Sequence, residues 1–89
     1  MTVVTLYTKP GCHLCDDVRD VMEQVREEFP FDVDVRDILQ DLKDFERYKH
    51  DIPVVLLDGG EIARHRMTAD HLRQALRAAG VCGYNAERS

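Results

Sequence analysis

The spacing of the apolar residues changes from strand-like to helical and back to strand-like before Arg36, and no other feature constrains the fold as much. Residues 3–7 form a short, β-branched and nearly continuous apolar run, which is typical of a strand covered on both faces. A helical period then begins at Leu14 and ends at Phe29, because Pro30 lacks an amide hydrogen and disfavours helical geometry in the residue before it. Apolar and charged residues alternate after that, as in a strand with one wet face: Phe31, Val33 and Val35 against Asp32, Asp34 and Arg36.

The rest of the chain predicts a helix, a hairpin of two strands and a last helix. A capping box of Asp37 and Gln40 precedes the helix. In the hairpin, the turn Asp58-Gly59-Gly60 joins the apolar run 54–57 to a strand near 61–65. The last helix has Thr68 or Asp70 as its cap and Gly80 as its terminator. The predicted inward residues are Ile38, Leu39, Leu42 and Phe45 in the first of these helices and Leu72, Ala75, Leu76 and Ala79 in the second.

The element order is therefore βαβαββα, which predicts an α/β domain. The first βαβ unit should be parallel and right-handed, and the last two strands should pair antiparallel. A chain of 89 residues with 44% hydrophobic residues has room for one core. We expect one domain over residues 1–82 and a polar tail over residues 83–89.

Charge and hydropathy argue against several classes of function. The chain has 12 basic and 17 acidic residues, a net charge of −5, whereas proteins that bind nucleic acid are normally basic. No apolar run approaches the roughly 20 residues that cross a bilayer, so no membrane partner is expected. The first ten residues lack the basic flank and cleavage site of a signal peptide, and the cysteine count is odd, so we expect a cytoplasmic protein.

Cys12 and Cys15 lie where the first strand gives way to the first helix. A spacing of three residues at a helix start brings both side chains to one face, within reach of a disulfide. Cys12 would lie near the N-cap, where unpaired amides and the helix dipole favour a thiolate. His13 could, as imidazolium, stabilise that thiolate further, or it could be a solvated loop residue. The pair predicts thiol–disulfide exchange, in which the outer sulfur attacks and the inner sulfur resolves the mixed disulfide.

The same spacing is also half of a metal site, so an alternative stays open. A structural zinc site needs four ligands, and the remaining candidates are Cys82 and four scattered histidines. The alternative function is a binding module that uses the cysteines for a metal or an iron–sulfur cluster. Cys82 itself could be a second resolving thiol or a small apolar residue at the end of the last helix. We predict no metal site and no bound cofactor, since sulfur carries the electrons in exchange chemistry.

Three segments of the sequence resemble glutaredoxin-family proteins, in particular the small subgroup with Cys-x-Leu-Cys. They are Leu6-Tyr7-Thr8-Lys9-Pro10-Gly11-Cys12-His13-Leu14-Cys15, the segment Ile52-Pro53-Val54-Val55 and the turn Asp58-Gly59-Gly60. The resemblance implies a thioredoxin-like fold, a four-stranded mixed sheet with helices on both faces. It implies Cys12 as the nucleophile, Cys15 as the resolving thiol, and a cis Pro53 facing them. The substrate-binding residues proposed on this basis are Tyr7, Lys9, His13, Leu14, Ile52, Pro53 and Asp70. Tyr7 could instead be an aromatic residue of the core or its rim.

The sequence departs from the family pattern at Ala63-Arg64, where glutathione-using members carry Gly-Gly. A β-carbon and a long cation occupy space that glycine leaves open, so a tripeptide should be crowded there. Glutathione is therefore a candidate co-substrate for which we expect poor activity. The expected partners are protein or low-molecular-weight disulfides, with a reductase or glutathione as electron donor, and a monomer is expected.

Overall fold

The computed structural model describes residues 2–84, so the predicted tail at 83–89 lies mostly outside the described residues. Four strands and three α-helices follow one another along the chain in the predicted order: β1 (Val3–Thr8), α1 (His13–Arg26), β2 (Asp32–Asp37), a 3₁₀ turn (Ile38–Gln40), α2 (Leu42–Tyr48), β3 (Val54–Leu57), β4 (Gly60–Arg64) and α3 (Ala69–Ala78). Within residues 2–84, none of the helices has the length and apolar character that crossing a membrane requires.

The strands form one mixed sheet in the order β2-β1-β3-β4. Strand β1 is parallel to β2, with Tyr7 opposite Arg36, and antiparallel to β3, with Tyr7 opposite Val54. Strands β3 and β4 form the antiparallel hairpin, and its turn has φ 48° at Asp58 and 88° at Gly59. Two positive φ angles in succession match the right-handed twist of the strands, which is why Asp-Gly is favoured there. The predicted fold class is confirmed.

Helices cover both faces of the sheet. On one face, α1 and α3 bury the larger apolar cluster against β1 and β3: Val4, Leu6, Val18, Met22, Val25, Phe29, Phe31, Val55, Met67, Leu72 and Leu76. On the other face, Tyr7 and Val54 pack with Ile38 of the 3₁₀ turn and Tyr48 of α2. Because β1 is central and buried on both faces, its chain end is a rigid point from which the next loop departs.

The regular part of α1 ends at Arg26, before the predicted end at Phe29. The Phe29 amide still donates to the Val25 carbonyl at 3.0 Å, so Phe29 keeps its inward position and is buried. Pro30 disfavours helical geometry at Phe29, which explains why the last turn loosens before the proline itself.

The helix predicted to begin at Asp37 is divided in the structure. Asp37 accepts the Leu39 amide at 2.8 Å and caps only the 3₁₀ turn, whereas Asp41 accepts the amides of Lys43 and Asp44 and caps α2. The division changes the helical phase, and Leu39 (55% exposed) and Leu42 (75% exposed) face solvent instead of the core. The predictions of an inward Leu39 and an inward Leu42 are wrong for this reason.

Two further residues predicted to be buried are exposed. Val35 lies on the edge strand β2, which has a neighbour on one side only, and Ala79 is the C-cap residue of α3. Thr68 caps the start of α3 by accepting the His71 amide at 3.1 Å, so Thr68 is the cap and Asp70 lies in the first turn. Gly80 ends the helix at φ 86°, a conformation that glycine adopts without a steric penalty.

Candidate active site

A short loop leads from the end of β1 to the start of α1. The loop turns at Gly11, whose φ is 81°, and the Cys12 amide donates to the Lys9 carbonyl at 3.4 Å. A positive φ suits glycine, so Gly11 allows the chain to turn sharply. The loop thereby places Cys12 at the N-cap of α1, as the sequence predicted.

The two cysteines of the motif have different surroundings. The Cys12 sulfur accepts the backbone amide of Cys15 at 3.1 Å, and the Cys12 side chain is half-buried. Cys15 lies in the first turn of α1 and is 2% exposed. Their Cα atoms are 5.2 Å apart and the structure contains the disulfide between them. A disulfide of this kind has one sulfur that a substrate can approach and one that is shielded.

The exposed rim around Cys12 consists of Lys9, His13 and Leu14. Leu14 is 48% exposed, which is unusual for a leucine inside a helix that otherwise buries its apolar face. Lys9 and His13 extend into solvent on either side of Cys12 in the chain. The surface next to the accessible sulfur therefore combines an apolar side chain with a lysine and a histidine.

Ile52 and Pro53 lie at the same end of the sheet as Cys12. Val54 pairs with Tyr7, close to the end of β1. Pro53, which precedes Val54, therefore lies beside the end of β1, where the loop that carries the cysteines begins. The Ile52–Pro53 peptide is cis, and Pro53 is buried. Ile52 makes no backbone hydrogen bond with any other residue in the described range 2–84. Its amide and carbonyl are therefore available to a peptide that approaches in an extended conformation.

Tyr7, which the family resemblance places at the border of the substrate site, packs between the sheet and α2. The residue is 9% exposed, and its ring centroid lies 4.5 Å from that of Tyr48, on the face of the sheet covered by α2. Burial raises the pKa of the Tyr7 phenol, and the nearby Asp44 carboxylate raises it further. The phenol therefore stays protonated, and its ring supports β1 below the cysteine loop.

Asp70 is occupied by a neighbour on its own helix. Its carboxylate accepts from Arg73 at 2.6 Å, and the same guanidinium donates two 2.8 Å hydrogen bonds to Glu28, just after α1. The hydrogen bonds that Arg73 donates to the carboxylates of Glu28 and Asp70 raise the pKa of Arg73, and the bonds to Glu28 lower the pKa of Glu28. Asp70 thus belongs to a network that joins α1 to α3, although its side chain remains largely exposed.

Ala63 and Arg64 point to opposite faces of the sheet. The Ala63 methyl packs against the larger apolar cluster, whereas Arg64 donates to both carboxylate oxygens of Glu61 at 2.7 and 2.6 Å. Arg64 also lies 3.3 Å from the carboxylate of Asp51, just before Ile52. Sequence reasoning did not identify the contact of Arg64 with Asp51, because it depends on how the hairpin folds back, and it did not identify the contact with Glu61, which lies within β4.

Cys82 lies at the other end of the sheet from Cys12. It follows the end of α3, is exposed, and lines a cavity of about 720 Å³ together with Thr2, Arg26, Phe31 and Tyr84. Because β1 starts near this cavity and ends near Cys12, Cys82 is not placed to attack a disulfide on Cys12. Its alternative interpretation, a small apolar residue at the end of the last helix, differs from the structure in position, since Cys82 lies beyond α3 and is exposed.

The described residues do not assemble a metal site. Among residues 2–84, no three side chains of His, Cys, Asp or Glu lie close enough together to hold a metal ion. For the alternative function, a module that binds a metal or an iron–sulfur cluster, this part of one chain therefore offers the two sulfur atoms of Cys12 and Cys15 as ligands.

Comparison with known proteins places these residues in a family context. The family model of the glutaredoxin-like domain (DUF836) matches residues 3–77, which include the cysteine pair and the hairpin. A curated glutaredoxin-like protein of Dictyostelium discoideum is 32% identical over 75 residues, covering 78% of this chain and 69% of that protein. An X-ray structure of a structural-genomics target protein from X. campestris is 30% identical, with a TM-score of 0.66 and coverage of 84% and 96%. A mutant thioredoxin from Halobacterium salinarum has the same fold, with a TM-score of 0.67, 18% identity and coverage of 86% and 73%.

Proposed function

This chain belongs to the glutaredoxin-like domain family, and from that premise we propose that it is a dithiol oxidoreductase that reduces protein or mixed disulfides. The observation that carries the proposal is the asymmetry of the cysteine pair. Cys12 is partly accessible at a helix N-cap and accepts a backbone amide, whereas Cys15 is buried one turn further along. This arrangement supports a nucleophile and a resolving thiol in fixed positions.

The N-cap position supports the reactivity of Cys12 after reduction. The Cys15 amide that points at the Cys12 sulfur would donate to a thiolate at the same place. The positive end of the α1 dipole acts in the same direction, and both effects favour the charged form of the sulfur. Cys15 lies inside the first turn, where it lacks this amide and is shielded from solvent.

The proposed reaction has two exchange steps. The Cys12 thiolate attacks a substrate disulfide, forms a bond to one substrate sulfur, and releases the other, which takes up a proton. Cys15 then loses its proton to solvent and attacks the Cys12 sulfur, which releases the second substrate thiol and forms the Cys12–Cys15 disulfide. Two electrons pass from the protein to the substrate, and an external thiol or dithiol reductant returns the pair to the reduced state.

The substrate side of the site favours an extended peptide. Ile52 offers an amide and a carbonyl without backbone partners, at the same end of the sheet as Cys12. Main-chain hydrogen bonds of this type bind any extended segment, so they give affinity without a strong sequence preference. The exposed Leu14 provides an apolar contact beside the nucleophile. We therefore propose disulfides of proteins as the principal substrates.

Turnover assays test the proposal. The reduced protein should catalyse reduction of a protein disulfide when coupled either to glutathione with its reductase or to thioredoxin reductase. The purified protein should also show titratable thiols at Cys12 and Cys15 after reduction, with no stoichiometric metal and no visible absorbance. Absence of turnover with both electron donors, or a tightly bound metal or cluster, would contradict the proposal.

Glutathione should be a poor reductant, because Arg64 fills space beside the docking segment and is held there by its contact with Asp51. Replacing Ala63 and Arg64 together by glycine should raise glutathione-coupled activity by about tenfold, the usual scale for relieving one steric conflict in a substrate site. The measurement is the initial rate with glutathione and its reductase at a saturating concentration of the protein disulfide, so that a change in KM for that disulfide does not enter.

Ala63→Gly alone is the matched control for this experiment. Its methyl packs against the core and not toward Arg64, so the single change should leave glutathione-coupled activity nearly unaltered. If the unmodified protein turns over with glutathione as fast as an authentic glutaredoxin assayed in parallel, the steric argument is wrong.

A further inference from the structure

The segment that docks the substrate is held in place from the end of β4. The Arg64 guanidinium lies 3.3 Å from one carboxylate oxygen of Asp51, and the His65 ring nitrogen Nε2 lies 3.6 Å from the other. The His65 amide donates to the Pro53 carbonyl at 2.7 Å. Two consecutive residues, the last of β4 and the one after it, thus contact both ends of the segment Asp51-Ile52-Pro53, and Ile52 lies between these contacts.

The backbone conformation of His65 indicates that these contacts order the segment Asp51-Ile52-Pro53. His65 has φ 72°, in the left-handed region that a side chain with a β-carbon rarely adopts. Such a conformation persists when the surroundings impose it. At His65 these surroundings are the hydrogen bond to Pro53 and the contact with Asp51. Both partners precede β3, so neither contact lies within the hairpin.

We propose that the ion pair between Asp51 and Arg64 is a brace that positions Ile52 for extended protein substrates, and that Arg64 is a positioning residue for their recognition. This inference rests on the proposed function. Arg64 does not touch the reacting sulfur atoms, so it acts on substrate binding and not on the exchange steps. The positive charge of Arg64 is already paired with the carboxylates of Glu61 and Asp51. Arg64 therefore attracts a small anionic thiol only weakly, which favours a peptide backbone as the ligand.

The contact with Asp51 can be separated from the rest of the Arg64 network. Glu61 lies on the same strand as Arg64, so their hydrogen bonds join residues within β4. Asp51 lies before β3, so its contact with Arg64 joins β4 to the docking segment. If the brace is real, loss of Asp51 should impair docking and loss of the Glu61 charge should not.

The test compares Arg64→Met, Asp51→Ala, Arg64→Lys and the control Glu61→Gln with the unmodified full chain. The substrate is an unstructured peptide with a single disulfide to a chromogenic thiol. Arg64→Met and Asp51→Ala should raise KM about fivefold, the upper range for a half-exposed ion pair, with kcat unchanged. Arg64→Lys should recover part of the affinity because it retains the charge, and Glu61→Gln should resemble the unmodified protein. The alkylation rate of Cys12 should be the same in all of them.

Amide hydrogen exchange provides a readout that does not depend on turnover. In Arg64→Met and Asp51→Ala, the His65 amide should exchange about fivefold faster relative to the Val55 amide, which lies in the buried strand β3 and reports the stability of the core. An unchanged KM together with unchanged His65 exchange would overturn the brace, as would Glu61→Gln raising KM as much as Asp51→Ala. If the unmodified protein has no activity, the proposed function fails, and His65 exchange still decides whether Asp51 and Arg64 order the segment.

Discussion

Replacing Cys12 by serine is expected to lower the rate of disulfide turnover by roughly a thousandfold or more, as is usual when a nucleophile is removed. Cys12 is the accessible sulfur of the pair and the one that accepts the Cys15 amide at the start of α1. A serine hydroxyl at the same place would stay protonated and would not form a disulfide. The measurement is the initial rate with a protein disulfide at saturating reductant.

Alkylation of the reduced protein gives the same prediction an independent test. The rate against pH should show a thiol whose pKa lies below the free value of about 8.5, because the N-cap amide and the helix dipole favour the Cys12 thiolate. This fast-reacting thiol should be missing in Cys12→Ser and retained in the matched control Cys82→Ser, since Cys82 lies at the other end of the sheet. Survival of the fast thiol in Cys12→Ser would assign the nucleophile to another cysteine.

Replacing Cys15 by serine should convert a transient mixed disulfide into a stable one. Cys15 is 2% exposed and its Cα lies 5.2 Å from that of Cys12, so it is placed to displace a substrate bound to Cys12 and does little before that step. Without it, the first exchange step proceeds and the second does not. Turnover of protein disulfides should fall to near background, while one equivalent of substrate stays attached to Cys12.

Mass spectrometry under non-reducing conditions measures this adduct. The experiment is best done in a Cys82→Ser background, so that the exposed Cys82 cannot form an unrelated disulfide. The matched control carries Cys12→Ser as well as Cys15→Ser and should form no adduct. Failure to trap any protein or glutathione disulfide on Cys12 would contradict the two-step mechanism.

Local patterns of the sequence determined the order of the elements and the location of the cysteine pair. The period of apolar residues, Pro30 after α1 and the Asp58-Gly59 turn act on neighbouring residues, so their effects can be predicted without the rest of the chain. The position of Cys12 follows from the same local change from strand to helix. The fold class and the cysteine chemistry were accessible in this way because both depend on short-range geometry.

Competition between nearby signals was decided by packing. Asp37 and Asp41 are both good caps, and either could begin the second helix. In the structure Asp41 caps α2, because this arrangement allows Ile38 and Tyr48 to pack on the sheet while Leu39 and Leu42 face solvent. The capping signals alone do not decide between two phases of a helix that bury different side chains.

Contacts between distant residues were determined only by the tertiary structure. The hairpin brings Arg64 to Asp51, the central strand separates Cys82 from Cys12, and the position of α2 provides Tyr48 as the stacking partner of Tyr7. Each of these contacts or separations depends on strand order and register, which join residues far apart in the chain. A sequence pattern shows which side chains are present. Which of them are in contact is decided only when the sheet and its helices pack together.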